Sequence, residues 1–258
     1  MENTPQDLSP IDTSLPQADW TAWQSYLKTE FGVTVPDAAL EGFHAYFKEL
    51  IEWNAKFNLV SVRSGREVLW RHFADSLAGM KALSPAAALK AIDIGTGAGL
   101  PGIPVSLVHP EWRMTLVESI QKKCSFLVHM KELLALNTLT VMNERVEVLG
   151  QSAVHREQYD LVLSRAVAKL IPNLEIALPL LRQGGTAIIY KTERSVPQGD
   201  ELAHVNSVAA RLGGKLTAVV PYRLPHEEQG YALLLFEKQS ATPAAYPRRP
   251  GVPEKKPL

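Results

Sequence analysis

The stretch AIDIGTGAGLPGIP, residues 91–104, decides the fold of this chain. A short apolar run comes first, and three glycines, Gly95, Gly97 and Gly99, follow it before Pro101 at the approach to an expected helix. Glycine adopts positive φ angles and lets a ligand approach the backbone where a Cβ would block it. A buried strand that enters such a turn predicts a small-molecule site at the carboxyl end of that strand.

The sequence beyond the glycine turn alternates between apolar runs and segments with helical periodicity. The later apolar runs are WRMTLVE, TLTVM, YDLVLS, GTAIIYK, KLTAVVPY and YALLLFEK. Segments between them, such as residues 122–136 and 171–181, are long enough to cross from one parallel strand to the next. The last two runs are joined by a loop too short for a helix, so the final strand should be antiparallel. The pattern predicts an α/β fold, with a doubly wound, mostly parallel seven-stranded sheet.

Four segments are expected along the chain. Residues 1–17 are polar and residues 240–258 contain five prolines and several basic residues, so we expect a flexible leader and a flexible basic tail. Residues 18–84 show helical periodicity and form a small N-terminal helical region, whose aromatic side chains we interpret as core rather than as a base-stacking surface. Residues 85–239 carry the sheet and the glycine turn.

Composition excludes several classes of protein. The chain has 258 residues, of which 46% are apolar, and no apolar run approaches the roughly 18 residues that span a bilayer. The first residues lack the blocks of a signal peptide, so we expect a cytoplasmic protein. The single cysteine, Cys124, excludes a disulfide framework and a Cys-rich zinc site, and no metal is expected. Lys plus Arg equals Asp plus Glu, at 27 each, so net charge gives no sign of a nucleic-acid partner.

Two acidic residues at strand ends favour S-adenosylmethionine as the cofactor. Asp93 directly precedes the glycines, where it would repel a pyrophosphate but could hold a methionine ammonium, directly or through water. Glu118 ends the next strand, where it could bind the ribose hydroxyls of an adenosine or a nicotinamide cofactor. The Gly-x-Gly-x-Gly spacing also differs from the Gly-x-Gly-x-x-Gly of dinucleotide-binding folds. The alternative is a glycine turn with two solvent-exposed acids.

The ends of the next two strands should complete the same crevice. Arg145, Val146 and Glu147 follow the third strand, where an adenine would lie, although Glu147 taken alone could instead be a solvated loop acid. Ser164 and Arg165 end the fourth strand, from which a residue could face the substrate. A surface salt bridge is the alternative for Arg165.

Two absences restrict the atom that receives a methyl group. The segment SRAVAKL after the fourth strand lacks the Asn/Asp-Pro-Pro-aromatic loop common in methylation of exocyclic amines. Cys124 falls in an expected helix, as a small buried hydrophobe rather than a nucleophile. An already nucleophilic atom remains. Guanine N7 bears a lone pair and no proton, so its attack on a methyl group needs alignment and desolvation but no general base.

Five motifs, taken together, resemble the glucose-inhibited division protein B family of bacterial 16S ribosomal RNA guanine-N7 methyltransferases. They are NLVSVRSGREVLWRHFADSL, DIGTGAGLPGIP, VESIQKKCSFL, RVE and SRAVAKL, within about residues 43–238. The resemblance implies a class I, Rossmann-like methyltransferase that methylates N7 of one guanine in the decoding-region loop of 16S ribosomal RNA, free or in the small subunit. The cofactor site that it implies comprises Gly95, Leu100, Glu118, Val146, Glu147 and Arg165.

The resemblance also implies a site that faces the RNA. Its residues in the first motif are Asn58, Arg63, Arg71, His72, Asp75 and Ser76. Arg71, His72 and Arg165 are candidates for positioning the substrate, and no catalytic base is assigned; a helix surface for Arg71 and a packed side chain for His72 are the alternatives. Lys191 and Arg194, just past the fifth strand, are candidate phosphate contacts or part of a solvated loop. Tyr231 departs from the family pattern, in which a basic residue is expected.

Other functions remain open on sequence alone. A small-molecule methyltransferase would need the same sheet and glycine turn. A non-catalytic RNA-binding factor of ribosome assembly could keep the cofactor pocket, and a nicotinamide oxidoreductase is a third alternative. We expect a monomer.

Overall fold

The computed structural model describes residues 15–83 and 88–258. The expected leader lies outside these ranges as far as residue 14, and so does the expected boundary at residues 84 and 85. Within the described ranges, no helix combines the length and the apolar character needed to cross a membrane.

Seven strands form a single sheet at the centre of the protein. They are β1 (Lys90–Ile94), β2 (Arg113–Glu118), β3 (Leu139–Asn143), β4 (Tyr159–Arg165), β5 (Leu181–Thr192), β6 (Gly214–Tyr222) and β7 (Tyr231–Lys238). Their spatial order is β3-β2-β1-β4-β5-β7-β6, and only β7 runs antiparallel to its two neighbours. The expected doubly wound sheet with an antiparallel last strand is confirmed. Because the strand order reverses between β1 and β4, a ligand crevice is expected at their carboxyl ends.

Helices cover both faces of the sheet. They are α1 (Gln17–Tyr26), α2 (Asp37–Phe57), α3 (Gly65–Glu67), α4 (Asp75–Leu77), α5 (Gly102–Val108), α6 (Gln121–Leu133), α7 (Val146–Gln151), α8 (Leu170–Ala177), α9 (Gly199–Arg211) and α10 (Val252–Lys255). Side chains alternate across each strand, so Leu161 and Leu163 of β4 enter one core and Val162 enters the other. Each face of the sheet therefore has its own apolar core.

The N-terminal helices share the first of these cores with the sheet. Trp23 and Phe43 are fully buried and contact each other edge to face, with ring centroids 4.8 Å apart. Their interpretation as core residues is confirmed. Ser64 caps the start of α3: its hydroxyl accepts the Glu67 N–H, and the Glu67 carboxylate accepts the N–H of the preceding residue, Arg63. The cap fixes the start of a helical segment that passes through a π-helical stretch, residues 68–74, into α4.

The C-terminal residues 240–258 contradict the flexible tail that we expected. Arg156 donates hydrogen bonds to three carbonyl oxygens of this segment, and Glu175, which is fully buried in α8, pairs with Arg248 at 2.5 Å between Nη2 and Oε2. Charged hydrogen bonds of this kind offset the entropy cost of ordering the chain. The composition of the segment indicated flexibility because the residues that order it cannot be seen in the local sequence. These partners lie 73 or more residues away along the chain.

Candidate functional site

The glycine turn between β1 and α5 has the backbone conformation that the sequence predicted. Gly95, Gly97 and Gly99 have φ angles of +62°, +63° and +94°. A Cβ on Gly99 would lie 2.3 Å from Ile103 Cδ1, so only glycine lets the turn pack against α5. A Cβ on Gly97 would meet no atom within 4 Å, which shows open space beside the turn.

Asp93 lies beneath this turn and is fully buried. Its Oδ2 accepts a hydrogen bond from the Thr96 hydroxyl at 2.5 Å and another from the Gly102 N–H at 2.8 Å. Its Oδ1 has no hydrogen-bond partner among the described residues. Burial raises the pKa of this carboxyl to about 7, although the two hydrogen bonds oppose the rise. Asp93 therefore organises the turn from below and keeps one acceptor oxygen that lacks a donor.

Glu118 ends β2 at the same edge of the sheet and is buried. Its Oε2 accepts the Gly97 N–H at 3.1 Å, and its Oε1 accepts the Ile120 N–H at 2.9 Å. An ionised carboxylate has further lone pairs on both oxygens, so it can also accept from a pair of neighbouring hydroxyls. The side chain thus joins the glycine turn to the position expected for a ribose.

A cavity of about 240 Å³ opens at the carboxyl ends of the first four strands. Four of the predicted cofactor residues line it, namely Gly95, Glu118, Val146 and Glu147. The other five are not part of the lining: Asp93, Gly97 and Gly99 build the turn, Leu100 is buried in the first core, and Arg165 directly precedes the lining residue Ala166. The crevice predicted from the strand ends therefore exists, and part of the predicted set supports it without facing it.

Glu147 lies at the end of this cavity beyond β3. Its Oε1 accepts hydrogen bonds from Arg145 Nη2 at 2.8 Å and from the Gly251 N–H at 2.9 Å. Burial opposes ionisation, but these hydrogen bonds hold the pKa of Glu147 below its usual value. It is a buried, paired carboxylate and not the solvated loop acid that was the alternative.

These residues fit S-adenosylmethionine. The donor-free oxygen of Asp93 and the open space beside Gly97 lie at the turn, where a methionine group would bind. Glu118 offers acceptors for ribose hydroxyls, and Val146 offers an apolar contact for an adenine. The three parts follow one another along β1, β2 and β3, in the order of the groups in the cofactor.

Arg165 ends β4 and joins several predicted residues of the RNA-facing site. Its Nε lies 2.5 Å from Asp75 Oδ2, and its Nη2 donates to the Arg71 carbonyl at 2.8 Å. The other oxygen of Asp75 accepts the Tyr222 hydroxyl at 2.5 Å. The ion pair is almost fully enclosed, with side-chain exposures of 15% and 6%, so Arg165 is not the surface salt-bridge arginine that was the alternative.

His72 is held as a neutral acceptor within this cluster. Its Nε2 lies 3.0 Å from the Ser61 carbonyl, which can only accept, and its Nδ1 lies 3.3 Å from Arg165 Nη2, which can only donate. Burial, together with the charge of Arg165, lowers the pKa of His72 to about 4. The imidazole lone pair is occupied, so His72 is placed to orient Arg165 and not to take a proton.

We expect His72 to make folding stability depend on pH. The folded pKa of about 4 lies below the ordinary value of 6.5, so the unfolded state binds more protons between these values. The contribution of neutral His72 to the free energy of unfolding is complete above pH 6.5. It falls by about 3 kcal/mol as the pH drops to 4, at about 1.4 kcal/mol per pH unit. Urea unfolding at pH 7 and pH 4.5 measures this change. We expect the free energy of unfolding to fall less between these two pH values in His72→Gln than in the parent chain.

The matched control for that measurement is His204→Gln, on the exposed face of α9. Asp93 acts with the opposite sign, because its raised pKa makes stability fall as the pH rises towards 7. The comparison is therefore between each variant and the parent chain. If the free energy of unfolding depends on pH as steeply in His72→Gln as in the parent chain, the pKa of His72 does not change on folding.

A second cavity, of about 820 Å³, is lined in part by Arg71, whose carbonyl accepts a hydrogen bond from Arg165. Three of the predicted RNA-binding residues line it, Arg63, Arg71 and Arg194, and Arg66 adds a fourth guanidinium. Glu67, Glu227 and Glu228 also line it, so the positive charge is partly offset. Arg71 itself pairs with Glu67 at 2.9 Å and leaves 36% of its side chain exposed.

The remaining predicted RNA-binding residues do not line that cavity. Asn58 is exposed and ends α2 in the left-handed conformation, at φ 49°. Ser76 is fully buried, and its hydroxyl donates to the His72 carbonyl at 2.6 Å. Lys191 lies within β5 rather than past it, and its ammonium donates to the Ala168 carbonyl at 2.8 Å, which corrects the placement read from the sequence. Tyr231 is buried against Tyr222, with ring centroids 5.5 Å apart.

The sequence analysis missed two parts of the lining of the cofactor cavity. Residues 166–168 line the cofactor cavity directly after Arg165, and Pro253 and Glu254 line it from the C-terminal segment. The sequence does contain one indication that the C-terminal segment is ordered. Glu175 is an acid within the largely apolar stretch LIPNLEIALPLL, which indicates a buried cationic partner elsewhere in the chain. The structure identifies Arg248 as that partner.

Comparison with solved structures supports the fold. The chain is similar to a variant of 16S rRNA (adenine(1408)-N(1))-methyltransferase from Catenulisporales acidiphilia, solved with its cosubstrate SAM. The TM-score is 0.50 at 16% identity, over 61% of this chain and 88% of that one. At this identity the similarity is one of fold.

Comparison with protein sequences is more specific. The family described as rRNA small subunit methyltransferase G matches residues 39–223. Ribosomal RNA small subunit methyltransferase G of Roseiflexus castenholzii is 41% identical over 232 residues, which are 90% of this chain and 97% of the relative. The protein of the same name from Carboxydothermus hydrogenoformans is 40% identical over 238 residues, or 91% of this chain and all of the relative. The resemblance carried by the five motifs is confirmed, and the chain belongs to the rRNA small subunit methyltransferase G family of S-adenosylmethionine-dependent methyltransferases.

Proposed function

We propose that this protein transfers the methyl group of S-adenosylmethionine to N7 of one guanine in the decoding-region loop of 16S ribosomal RNA. One observation carries the proposal. Arg165 directly precedes the wall of the cofactor cavity and hydrogen-bonds Arg71, which lines the arginine-rich cavity. The methyl donor and a guanine of the RNA would therefore meet at the carboxyl end of β4, next to this buried arginine and with no side chain between them.

The chemistry needs alignment more than proton transfer. When bound, the cofactor supplies an electrophilic methyl group on a sulfonium. Guanine N7 already carries a free lone pair, so the protein has to orient the base and exclude water, and no residue has to remove a proton. The neutral state of His72 agrees with this requirement, since its lone pair is occupied by Arg165. His72 and Asp75 are positioning residues that fix the guanidinium of Arg165.

The RNA backbone would contact the arginines of the larger cavity. Arg63, Arg66 and Arg194 are exposed, and phosphate contacts from such residues fix the register of a nucleic acid. The acids in the same lining limit this attraction to specific positions rather than to a broad basic patch. We also propose that the chain acts as a monomer in the cytoplasm on free 16S RNA or on the small subunit.

We expect Arg63→Ala and Arg194→Ala each to weaken RNA binding and to leave the affinity for S-adenosylmethionine unchanged. Each change removes about one phosphate contact, which lowers the salt dependence of binding by about one released counterion. Filter binding of 16S RNA at several salt concentrations measures the slope, and calorimetry measures the cofactor affinity. Arg211→Ala, on the exposed end of α9, is the control. Unchanged RNA affinity in both variants would place the RNA elsewhere.

The substrate class is tested by offering labelled cofactor with separate acceptors. These are naked 16S RNA, small subunits without the modification, and a small-molecule extract. Label in either RNA sample supports the proposal, whereas label confined to small molecules would point to a small-molecule methyltransferase. Tight cofactor binding without any transfer would point to a non-catalytic assembly factor.

A further inference from the structure

The C-terminal segment forms one wall of the cofactor cavity. Pro253 and Glu254 of α10 line the cavity on the side of α8, with Pro172 and Ile176. Pro253 is buried although only five residues of the sequence follow it. The match to the family ends at residue 223, so this wall lies beyond the matched region.

Specific contacts hold this segment in place along its length. Lys238 is fully buried, and its ammonium contacts Glu157 at 3.1 Å and the Thr242 hydroxyl at 2.5 Å. A Cβ on Gly150 would lie 2.6 Å from Pro247 Cγ, so the body of the protein leaves space for this proline. These contacts show that the segment has a defined seat.

Two further contacts fix the last part of the segment beside the cavity. Glu175 accepts from Arg248 at three positions, the backbone N–H, Nε and Nη2, at 2.9, 2.8 and 2.5 Å. Glu147 Oε1 is shared between Arg145 and the N–H of Gly251. The Glu147 carboxylate thus connects the loop after β3 to the C-terminal segment. Residues of both line the cofactor cavity.

The order of the strands indicates which part of the ligand lies there. Gly95 marks the end of β1, Glu118 the end of β2, and Val146 follows β3, so the end of the cavity beyond β3 is the one expected for the adenine. An adenine has apolar faces and a polar edge. Val146, Ile176 and Pro253 supply apolar surface at this end of the cavity.

We propose that residues 248–254 are a cofactor-binding element, in which Pro253 provides an apolar contact to the adenine and the Arg248–Glu175 ion pair positions it. The proposal rests on the methyl-donor part of the proposed function and is independent of the RNA target. Packing of the C-terminal segment and binding of the cofactor then strengthen each other. A ligand that contacts only the packed conformation of this segment favours that conformation.

The first test compares two prolines of the same segment. Pro253→Gly should weaken the binding of S-adenosylhomocysteine and of 5′-methylthioadenosine by about the same factor, on the order of tenfold, because the lost apolar contact is at the adenine. Pro257→Gly makes the same chemical change at an exposed position and should leave both affinities unchanged. Isothermal calorimetry measures both. Equal affinities in Pro253→Gly and the parent chain would overturn the proposal.

The second test concerns the ion pair and has a readout that a purely structural role would not move. Arg248→Ala leaves Glu175 buried without its partner, whereas Lys255→Ala removes an exposed cation just outside the proposed element and should change neither the affinity nor the exchange. In the parent chain, S-adenosylhomocysteine should slow amide hydrogen exchange in residues 248–254, and Arg248→Ala should reduce that protection together with the affinity. Exchange in this segment that does not respond to the ligand would contradict the proposal.

The failure of this inference is distinguishable from the failure of the proposed function. If the parent chain binds S-adenosylhomocysteine and Pro253→Gly binds it equally well, only the role of the tail is wrong. If the parent chain does not bind it, the proposed function fails as well. Because Pro253→Gly leaves every anchoring side chain in place, the test does not depend on a truncated chain that folds.

Discussion

Replacement of Arg165 by alanine is expected to abolish methyl transfer and to lower the free energy of unfolding by about 3–5 kcal/mol. Arg165 and Asp75 form an ion pair at 2.5 Å with little exposure. Among the described residues, the change leaves the buried Asp75 carboxyl with only the Tyr222 hydroxyl as a side-chain partner. The same change removes the guanidinium that donates to the Arg71 carbonyl and that directly precedes a wall residue of the cofactor cavity in the chain. Chemical denaturation and a labelled methyl-transfer assay measure the two effects.

The control is a second ion pair of the same length at the surface. Arg182 and Asp160 also lie 2.5 Å apart, but their side chains are 53% and 23% exposed. Arg182→Ala should therefore cost only about 0–1 kcal/mol and leave methyl transfer unchanged. If Arg165→Ala also lowered the free energy of unfolding by only about 0–1 kcal/mol, the Arg165–Asp75 ion pair would be solvated rather than enclosed.

A double variant separates the structural effect from the functional one. Arg165→Met with Asp75→Asn removes both charges and should recover most of the stability, because a buried ion pair is often replaceable by neutral groups of similar volume. Methyl transfer should stay abolished, since no guanidinium remains at the site. Recovery of activity together with stability would assign Arg165 to folding alone.

Replacement of Glu118 by alanine is expected to raise the dissociation constant for S-adenosylmethionine at least 100-fold. Hydrogen bonds to a charged group contribute about 1.5–3 kcal/mol each, and two of them to a ribose account for a factor of this size. The change also frees the Gly97 N–H, which Glu118 holds at 3.1 Å. Calorimetry measures the affinity, and near-unchanged unfolding would show that the sheet is intact.

Two variants make this prediction specific. Glu132→Ala removes an exposed acid from the end of α6 and should change nothing. Glu118→Gln keeps an acceptor in the same place without the charge and should fall between the parent chain and the alanine variant. An alanine variant with the parent affinity would remove Glu118 from the cofactor site.

The fold was predictable because its signals are local. The glycine turn, the apolar runs and the helical segments each fit within a short window, and their alternation indicates a doubly wound sheet whatever the distant contacts are. The antiparallel direction of the last strand was predictable from the short loop before Tyr231, which leaves no space for a crossover helix. Glu118 and Val146 were placed at the cavity for the same reason, since strand ends meet at one edge of a parallel sheet.

The misplaced residues depend on contacts that no short window shows. The tail was predicted to be flexible from its prolines, yet its order comes from Arg156 and Glu175, which lie far along the chain. Lys191 was placed in a loop, but β5 continues through it because β7 pairs with this part of the strand. His72 had no signal by spacing, and only the positions of Ser61 and Arg165 define it as neutral.

The central claim is that this chain methylates N7 of a single guanine in 16S ribosomal RNA. The most direct measurement is methyl transfer from labelled S-adenosylmethionine to small subunits that lack the modification, followed by mapping of alkali-labile 7-methylguanine along the RNA. The account predicts one labelled guanine, in the decoding-region loop, and no labelling with Arg165→Ala. Label on another atom, on another base or spread over many positions would contradict it.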